Sequence, residues 1–398
     1  MKPRPRLVVA TSTFPRSPDD AEPDFVWALA QGLSERFEVT VVCPHGPELS
    51  ESETWGPVRI RRFRYAPLKL EQLAYVHGML PALRARPWRL LLLPGFMLGF
   101  AWALRCEMSA TTPTVLHAHW VIPGGLAACL SGRLRRSDKR VCTVHGGDVF
   151  GLGGPWVDRL MGRILRRFDK VTAVSPAVAR RVAALGVDSA RVVTVPMGVS
   201  RIFDAPVDNT DRRVARAAFV GRLVEKKGAH VLLDALARLR ATQHALSVDI
   251  IGGGAQASVL KGQAHRLGLT RPMLRFLGAQ PTEQVAAALR GAQIFVFPSL
   301  ADAHGDAEGL GLTALEAALA GCVVVASALP ANAHVWTHDE TAILVPPGQP
   351  EALADALRAV LMDAQRAARI ARAGQAMVRS RFGWPRLVAA HADVLGLP

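Results

Sequence analysis

Acidic residues are scarce in this chain of 398 residues: 33 Asp and Glu stand against 48 Lys and Arg, a formal charge of +15. Cysteine is scarcer still. Cys43, Cys106, Cys129, Cys142 and Cys322 show no paired spacing, which excludes a disulfide-stapled scaffold and a zinc finger. Four of them lie in or beside apolar runs, as buried thiols in a reducing cytosol would. There is no aromatic–basic RNA motif and no basic zipper, so nucleic acid is not the anionic partner that the charge suggests. No low-complexity segment occurs. The amino terminus leads straight into a strand-like run, so no signal peptide is expected. The stretch Leu90 to Leu104 has fifteen residues without a charge and is interrupted by Pro94, Gly95 and Gly99. It falls short of the ~20 residues that span a bilayer.

Half of the residues are hydrophobic, enough for large cores, and the length suggests two domains. The positive charge is uneven. Residues 1–200 carry 27 basic and 16 acidic groups, and residues 201–398 carry 21 and 17. A basic first half points to an anionic partner, such as a phospholipid surface or a phosphorylated acceptor. Arg84, Arg86 and Arg89 precede the Leu90–Leu104 stretch, and Trp88 and Trp102 lie near its ends. Two readings stay open for it: a core-facing helix, or a segment lying in the interface of an anionic membrane.

The pattern along the chain is strand, loop, helix, strand. RLVVATSTF, DFVWALAQGLSERF and FEVTVVCP open it, as in a doubly wound sheet. The loop between Thr11 and Asp24 contains no glycine, so it is no Gly-rich phosphate loop. TVLHAHWVIPGGLAACL places His117 and His119 on one face of a strand. A metal would need a third ligand; a packed pair, or one on the acceptor side, fits better. RVCTVHGGDVF brings His145 and Asp148 to the end of the next strand, with Asp148 either turned toward a cleft or capping a helix. Ser175 and Pro176 read as the cap and first residue of a helix. VSRIFDAPVDNTDRR reads as a linker between domains.

The second half repeats the layout. RAAFVGRLVEKKGAHVLLDAL puts Arg222 and Lys227 in one loop after a strand, where two fixed cations suit a diphosphate. SVDIIGGGA ends in a turn of three glycines, Gly252, Gly253 and Gly254. IFVFPSL, then AEGLGLTALEAALAGCVVVAS, form strand, glycine-broken loop, helix and strand, with Gly321 as the helix end. An anion is attracted where a strand's carboxyl end meets a helix's amino end. Glu308 and Glu316 bracket that loop, and a carboxylate suits a sugar hydroxyl. Two plainer readings stand beside this one. Thr313 and Glu316 could form a capping box, and Glu308 could be a solvated loop acid.

With those motifs in order, the chain resembles the family-four retaining glycosyltransferases of the GT-B fold, the glycosyl transferases of group 1. FVGRLVEKKG, IIGGG, RFLGAQPTEQV, FVFPS…EGLGLTALEAALAGCVVVAS and ILVPPG carry the likeness in the second half. HAHWVIPGGL, TVHGGD, TAVSPAV and VPMGV carry it in the first. The resemblance implies an α/β protein with two Rossmann-like doubly wound domains and a cleft between them. Residues 1–200 would form the acceptor-side domain, residues 201–375 the nucleotide-sugar domain, and 376–398 a helix crossing back. It implies that Arg222 and Lys227 hold the donor diphosphate, that Glu316 takes the ribose hydroxyls and Glu308 those of the sugar. The backbone of Gly309, Leu310, Gly311 and Leu312, with Gly253, would line the donor. His145 would face the sugar and leaving group, with Asp148 and His119 on the acceptor side. No metal and no cofactor are implied: the nucleotide sugar, UDP in this reading, is a substrate. The acceptor would be a glycan, a lipid-linked or a small molecule, in a cytoplasmic enzyme with possible peripheral contact with the inner face of an anionic plasma membrane. The alternatives are another GT-B enzyme, such as a sugar-nucleotide epimerase or phosphorylase, and a non-catalytic scaffold. The chain departs from the family pattern at SPDDAEPD after its first strand, at ALPANAH, and at Ala342. His304 and Asp306 are candidates for tuning the donor sugar.

Overall fold

The computed structural model describes residues 4–18, 25–75, 79, 82–83, 86–108, 112–132, 135, 137–151, 153–204, 215–242, 246–300 and 311–396. The chain divides into two compact units: Met1–Gly198 with Trp384–Pro398, and Val199–Gly383.

The first unit holds an eight-stranded sheet of β1 (Arg6–Ala10), β2 (Glu38–Pro44), β3 (Ser52–Trp55), β4 (Val58–Phe63), β5 (Thr114–His119), β6 (Lys139–Val144), β7 (Lys170–Ala173) and β8 (Val192–Thr194). Their spatial order is β3-β4-β2-β1-β5-β6-β7-β8. Every pairing is parallel except that of β3 with β4, an edge hairpin that turns at Gly56. A parallel sheet must be covered on both faces, which is why its strands are apolar runs and not alternating ones. Leu7 and Val9 of β1 face one layer, with the helices Phe25–Leu33 and Trp384–Leu395. Val8 and Ala10 face the other, with Phe96, Phe100 and Leu104 of the helix Leu93–Glu107 and Met161 and Ile164 of Pro155–Leu165. Gly32 lets the first layer close: a Cβ there would meet Val388 Cγ2 at 2.4 Å.

The second unit holds a parallel sheet of β9 (Arg216–Val220), β10 (Ser247–Ile251), β11 (Leu274–Gly278), β12 (Ile294–Phe297), β13 (Val323–Ser327) and β14 (Ile343–Val345). The order β11-β10-β9-β12-β13-β14 is the doubly wound 3-2-1-4-5-6 arrangement. Phe295, Val296, Val325 and Ile250 are buried almost completely. Burying one such side chain contributes roughly 1.5–3 kcal/mol, against roughly 1–2 kcal/mol for fixing a residue's backbone. Continuous apolar strands are therefore what hold the centre of the sheet. In both units the strand order reverses beside the first strand, between β1 and β5 and between β9 and β12. A doubly wound sheet offers its ligand crevice there, outside the carboxyl ends of the strands.

Two sequence readings meet a more detailed structure. The start of the expected linker is packed: Val199 and Phe203 lie in the core of the second unit, and Arg379 binds Asp204 at 2.7 Å. Its polar composition concealed these two anchors. The helix Ala364–Phe382 also stays in the second unit, and the helix that belongs to the first begins at Trp384.

Gly228 carries the tightest backbone approach. It has φ +67°, and a Cβ on it would lie 1.8 Å from the Pro298 carbonyl oxygen. Gly228→Ala is expected to cost about 2–4 kcal/mol, because strain and collision add. Gly56→Ala has φ +54° and nothing within 4 Å of the new methyl, so about 1 kcal/mol is expected. Urea unfolding of both variants checks this; equal costs would show that the Pro298 contact relaxes freely.

Candidate active site

In the second unit, three loops at the carboxyl edge of the sheet brace one another. The loop after β9 runs through Gly221, Arg222 and Lys227 to Gly228. On one side it is bonded to the glycine turn after β10: Gly221 N–H donates to the Ile251 carbonyl (3.0 Å) and Leu223 N–H to the Gly253 carbonyl (2.8 Å). A Cβ on Gly252 would lie 1.9 Å from the Gly221 oxygen, so only glycine permits this approach. On the other side it meets the loop after β12, where Leu300 N–H donates to the Lys226 carbonyl at 2.8 Å.

Phe297, at the end of β12, joins the parts. Lys227 Nζ lies 5.6 Å from its ring centroid. The edge of the same ring would be 2.9 Å from a Cβ on Gly311. The lysine and the amino end of the helix Leu312–Leu319 thus share one aromatic wall. That helix is capped by Gly311 at φ +67°, and Ala229–Ala241 by Gly228, neither with a side-chain hydrogen bond. Helix amino ends present N–H groups without intrahelical partners, together with the positive end of the dipole. Two such ends follow neighbouring strands, near the loop of Arg222 and Lys227, an arrangement suited to an anion.

Thr313 lies inside its helix, so it is not the capping residue that the alternative reading required. Glu316 is half-buried one turn further along. Arg222 is exposed and Lys227 half-buried. Glu308, Gly309 and Leu310 lie outside the described residues, as do His304 and Asp306. Two groups went unnoticed in the sequence. Ser299 Oγ is buried with no hydrogen-bond partner among the described residues. Asn332 is buried in ALPANAH, its Nδ2 donating to the Ser327 carbonyl at 2.8 Å.

In the first unit, the ends of β5 and β6 bring histidines together. His119 Nδ1 lies 3.0 Å from His145 Nε2, and His145 Nδ1 lies 3.3 Å from Met197 Sδ. A thioether only accepts, so the His145 proton is assigned to Nδ1, and His119 then donates to His145 Nε2. His117 bonds Thr143 Oγ1 at 2.7 Å, and Thr143 in turn Thr172 at 2.6 Å. His391, from the final helix, completes the group, its ring 5.7 Å from that of His117. Burial, aided by neighbouring imidazoles, holds His117 and His119 well below their ordinary value. Burial brings His145 down to about 3 and His391 to about 4.

Asp148 is 4% exposed and is not a helix cap. Its carboxylate accepts from Val121 N–H (2.9 Å) and His145 N–H (3.2 Å). Burial raises its pKa against the lowering by these backbone donors. Asp148 thereby pins the turn after β5, where Trp120 sits at φ +64°, a strained position for a bulky side chain. The Trp120 ring lies 4.6 Å from that of His145. Sequence reasoning missed Trp120, because nothing in HAHWVIPGG announces a positive φ. A pocket with about 300 Å³ of empty space, mouth included, opens beside these groups, lined by Phe25, His145, Met197, Trp384 and His391 among others. Among the described residues no group of three His, Cys, Asp or Glu side chains is arranged to hold a metal.

Comparison with known proteins gives a consistent result. Residues 24–201 match the family model described as Glycosyltransferase Family 4, and residues 203–377 the model described as Glycosyl transferases group 1. A GDP-mannose-dependent alpha-(1-6)-phosphatidylinositol monomannoside mannosyltransferase of Mycobacterium tuberculosis is 29% identical over 66% of this chain and 71% of its own. A glycogen synthase of the same species is 30% identical over 71% of this chain and 68% of its own. Among solved structures, Anabaena Alr3699/HepE in complex with UDP-glucose superposes with a TM-score of 0.70 at 19% identity, covering 98% of this chain and 99% of that one.

The depressed histidines set a pH dependence. Unfolded, they titrate near 6.5; folded, His391 titrates near 4 and His145 near 3. Between those values the unfolded chain binds more protons, so stability falls as pH drops below about 6.5. The slope is at most about 1.4 kcal/mol per pH unit for each such histidine. Urea unfolding of the first unit's transition at pH 7.5 and 5.5 checks this, with a shallower slope expected for His391→Gln. Equal stability at the two values would contradict it.

Proposed function

Because the chain belongs to the glycosyl transferases of group 1, built in the GT-B form from two Rossmann-like units, we propose that it moves a hexose from a nucleotide diphosphate sugar to a glycan or lipid-linked acceptor, with retention and without a metal. The observation that carries this reading is the braced anion site of the second unit, where Arg222, Lys227 and two helix amino ends gather at one sheet edge.

In this mechanism Arg222 grips the diphosphate as a planar fork and Lys227 as a point charge. Glu316 accepts from the ribose hydroxyls and Glu308 from those of the sugar. N–H groups from Gly309 to Leu312 line the phosphate and sugar, with Gly253 beside them. The acceptor oxygen bonds to the anomeric carbon as the bond from that carbon to the phosphate oxygen breaks. The acceptor's proton passes to the departing phosphate. Charge grows on that phosphate, and the fixed cations and helix ends stabilise it as it forms. In the first unit, His145 is a neutral imidazole, a group that brings no charge to compete for the diphosphate. His119 acts through it, by holding its tautomer, and Asp148 by holding the turn.

The reading includes a cytoplasmic location, supported by the five free cysteines. Uridine is the base expected from the family resemblance and not from any residue, whereas one relative is named for GDP-mannose and one solved structure holds UDP-glucose. A donor panel separates these. Incubation with UDP-glucose, UDP-N-acetylglucosamine and GDP-mannose, with and without glycan and lipid acceptors, is expected to give turnover of one donor that persists in EDTA. Lys227→Ala is expected to lower kcat/KM about 10²–10³-fold. Glu316→Ala is expected to raise the donor KM about 10–100-fold. Epimerised or phosphorolysed donor without transfer would mean a different GT-B enzyme. No nucleotide binding by either wild type or Glu316→Ala would mean a scaffold.

A further inference from the structure

The helix Leu93–Glu107 is apolar on two sides, and among the described residues only one of them is covered. Phe96, Phe100, Ala103 and Leu104 enter the core of the first unit. Gly95 and Gly99 rest on the chain just beyond β4: a Cβ on either would lie within 2.5 Å of the Tyr65 or Arg64 carbonyl oxygen. The opposite side shows Leu91, Pro94, Leu98 and Trp102 to solvent, at the three- and four-residue intervals of one helix face. Leu91 is 81% exposed, Leu98 70% and Trp102 67%.

The stripe continues beyond the helix. Trp88 and Leu90 are exposed in the preceding turn Pro87–Leu92, and Leu68 and Leu70 in the turn Leu68–Leu70. Arg89 ties the two turns together by donating to Gln72 Oε1 at 3.1 Å. Seven of the thirteen large apolar side chains exposed among the described residues fall between Leu68 and Trp102, so this is a patch and not scattered surface.

Its charge has one sign. From Gln72 to Cys106 the chain has four arginines and no Asp or Glu. Lys69, Arg86 and Arg105 are exposed around the stripe. Exposed leucines and tryptophans ringed by cations match the boundary between headgroups and acyl chains of an anionic bilayer. A protein partner of ordinary composition would need acids for these cations and would leave no reason for their lacking any locally.

We propose that the first unit docks on an anionic lipid bilayer through this face, the helix lying in the interface with Leu91, Leu98 and Trp102 inserted and Lys69, Arg86 and Arg105 on headgroups. The helix lies on the membrane and does not cross it, because its other face is committed to the sheet. The proposal stands apart from the transferase reading.

Co-flotation of the full chain with vesicles tests it, using phosphatidylcholine alone or with about a third phosphatidylglycerol, at low and high salt. The full chain is expected to float with the anionic vesicles and to be released by salt, since salt screens exposed charges. Leu98→Ser with Trp102→Ser is expected to lower the bound fraction about tenfold. Arg86→Gln with Arg105→Gln is expected to remove most of the salt dependence. These four side chains are exposed and distant in sequence from the nucleotide loops. Each variant should therefore keep the far-UV circular dichroism and melting temperature of the full chain, which shows that it is folded. Full chain that stays in the pellet with anionic vesicles at low salt overturns the proposal, as does a Leu98/Trp102 variant that floats equally well. Light scattering that finds a dimer reduced to a monomer by that variant, without flotation, assigns the stripe to self-association and overturns it too.

Discussion

A diphosphate concentrates negative charge on a short group, and a protein that must hold it and then release it needs positive potential fixed in place beforehand. The proposed function sets that constraint on the second unit. The charge comes from Arg222 and Lys227 and from backbone dipoles at two helix ends, and none of these helps unless the backbone beneath it is rigid. The rigidity comes from glycine. Gly228 against Pro298, Gly252 against Gly221 and Gly311 against Phe297 allow approaches that a methyl group forbids, and each locks one loop to its neighbour. The sheet supplies the rest, since its parallel order brings the ends of β9, β10 and β12 side by side.

The first unit meets the opposite electrostatic demand. Its histidines are packed ring to ring and burial keeps them neutral, so the group offers hydrogen bonds without charge. The cost is placed in the turn after β5, where Trp120 takes a positive φ and a buried carboxylate, Asp148, is spent on two backbone N–H groups. Strain and a committed buried acid at one turn are what a functional site shows when position matters more than local stability.

Much of this was legible in the sequence, for identifiable reasons. Apolar runs separated by helical stretches announced parallel sheets, and the polar clusters read at strand ends do follow strands, Lys227 after β9 and His145 after β6. Ser175 caps its helix through Val178 N–H, as Ser-Pro at a helix start suggests. Other features were beyond reach. Phe297 looked like one more core aromatic, and only the fold shows that Lys227 and Gly311 both lean on it. Asp148 in HGGD resembled a cleft-facing acid, whereas its partners lie 27 and 3 residues away along the chain. Whether Leu90–Leu104 faced core or membrane could not be settled by composition, because the helix is apolar on a covered face and on an open one.

The proposed function requires a second unit built around a diphosphate. Calorimetric titration of the full chain with a nucleoside diphosphate and with the matching monophosphate tests it most directly. The diphosphate of the preferred base is expected to bind at least about tenfold more tightly, since charge-assisted bonds contribute roughly 1.5–3 kcal/mol each, and Lys227→Ala is expected to abolish most of this preference. Equal affinity for the two nucleotides in the wild-type chain would contradict it.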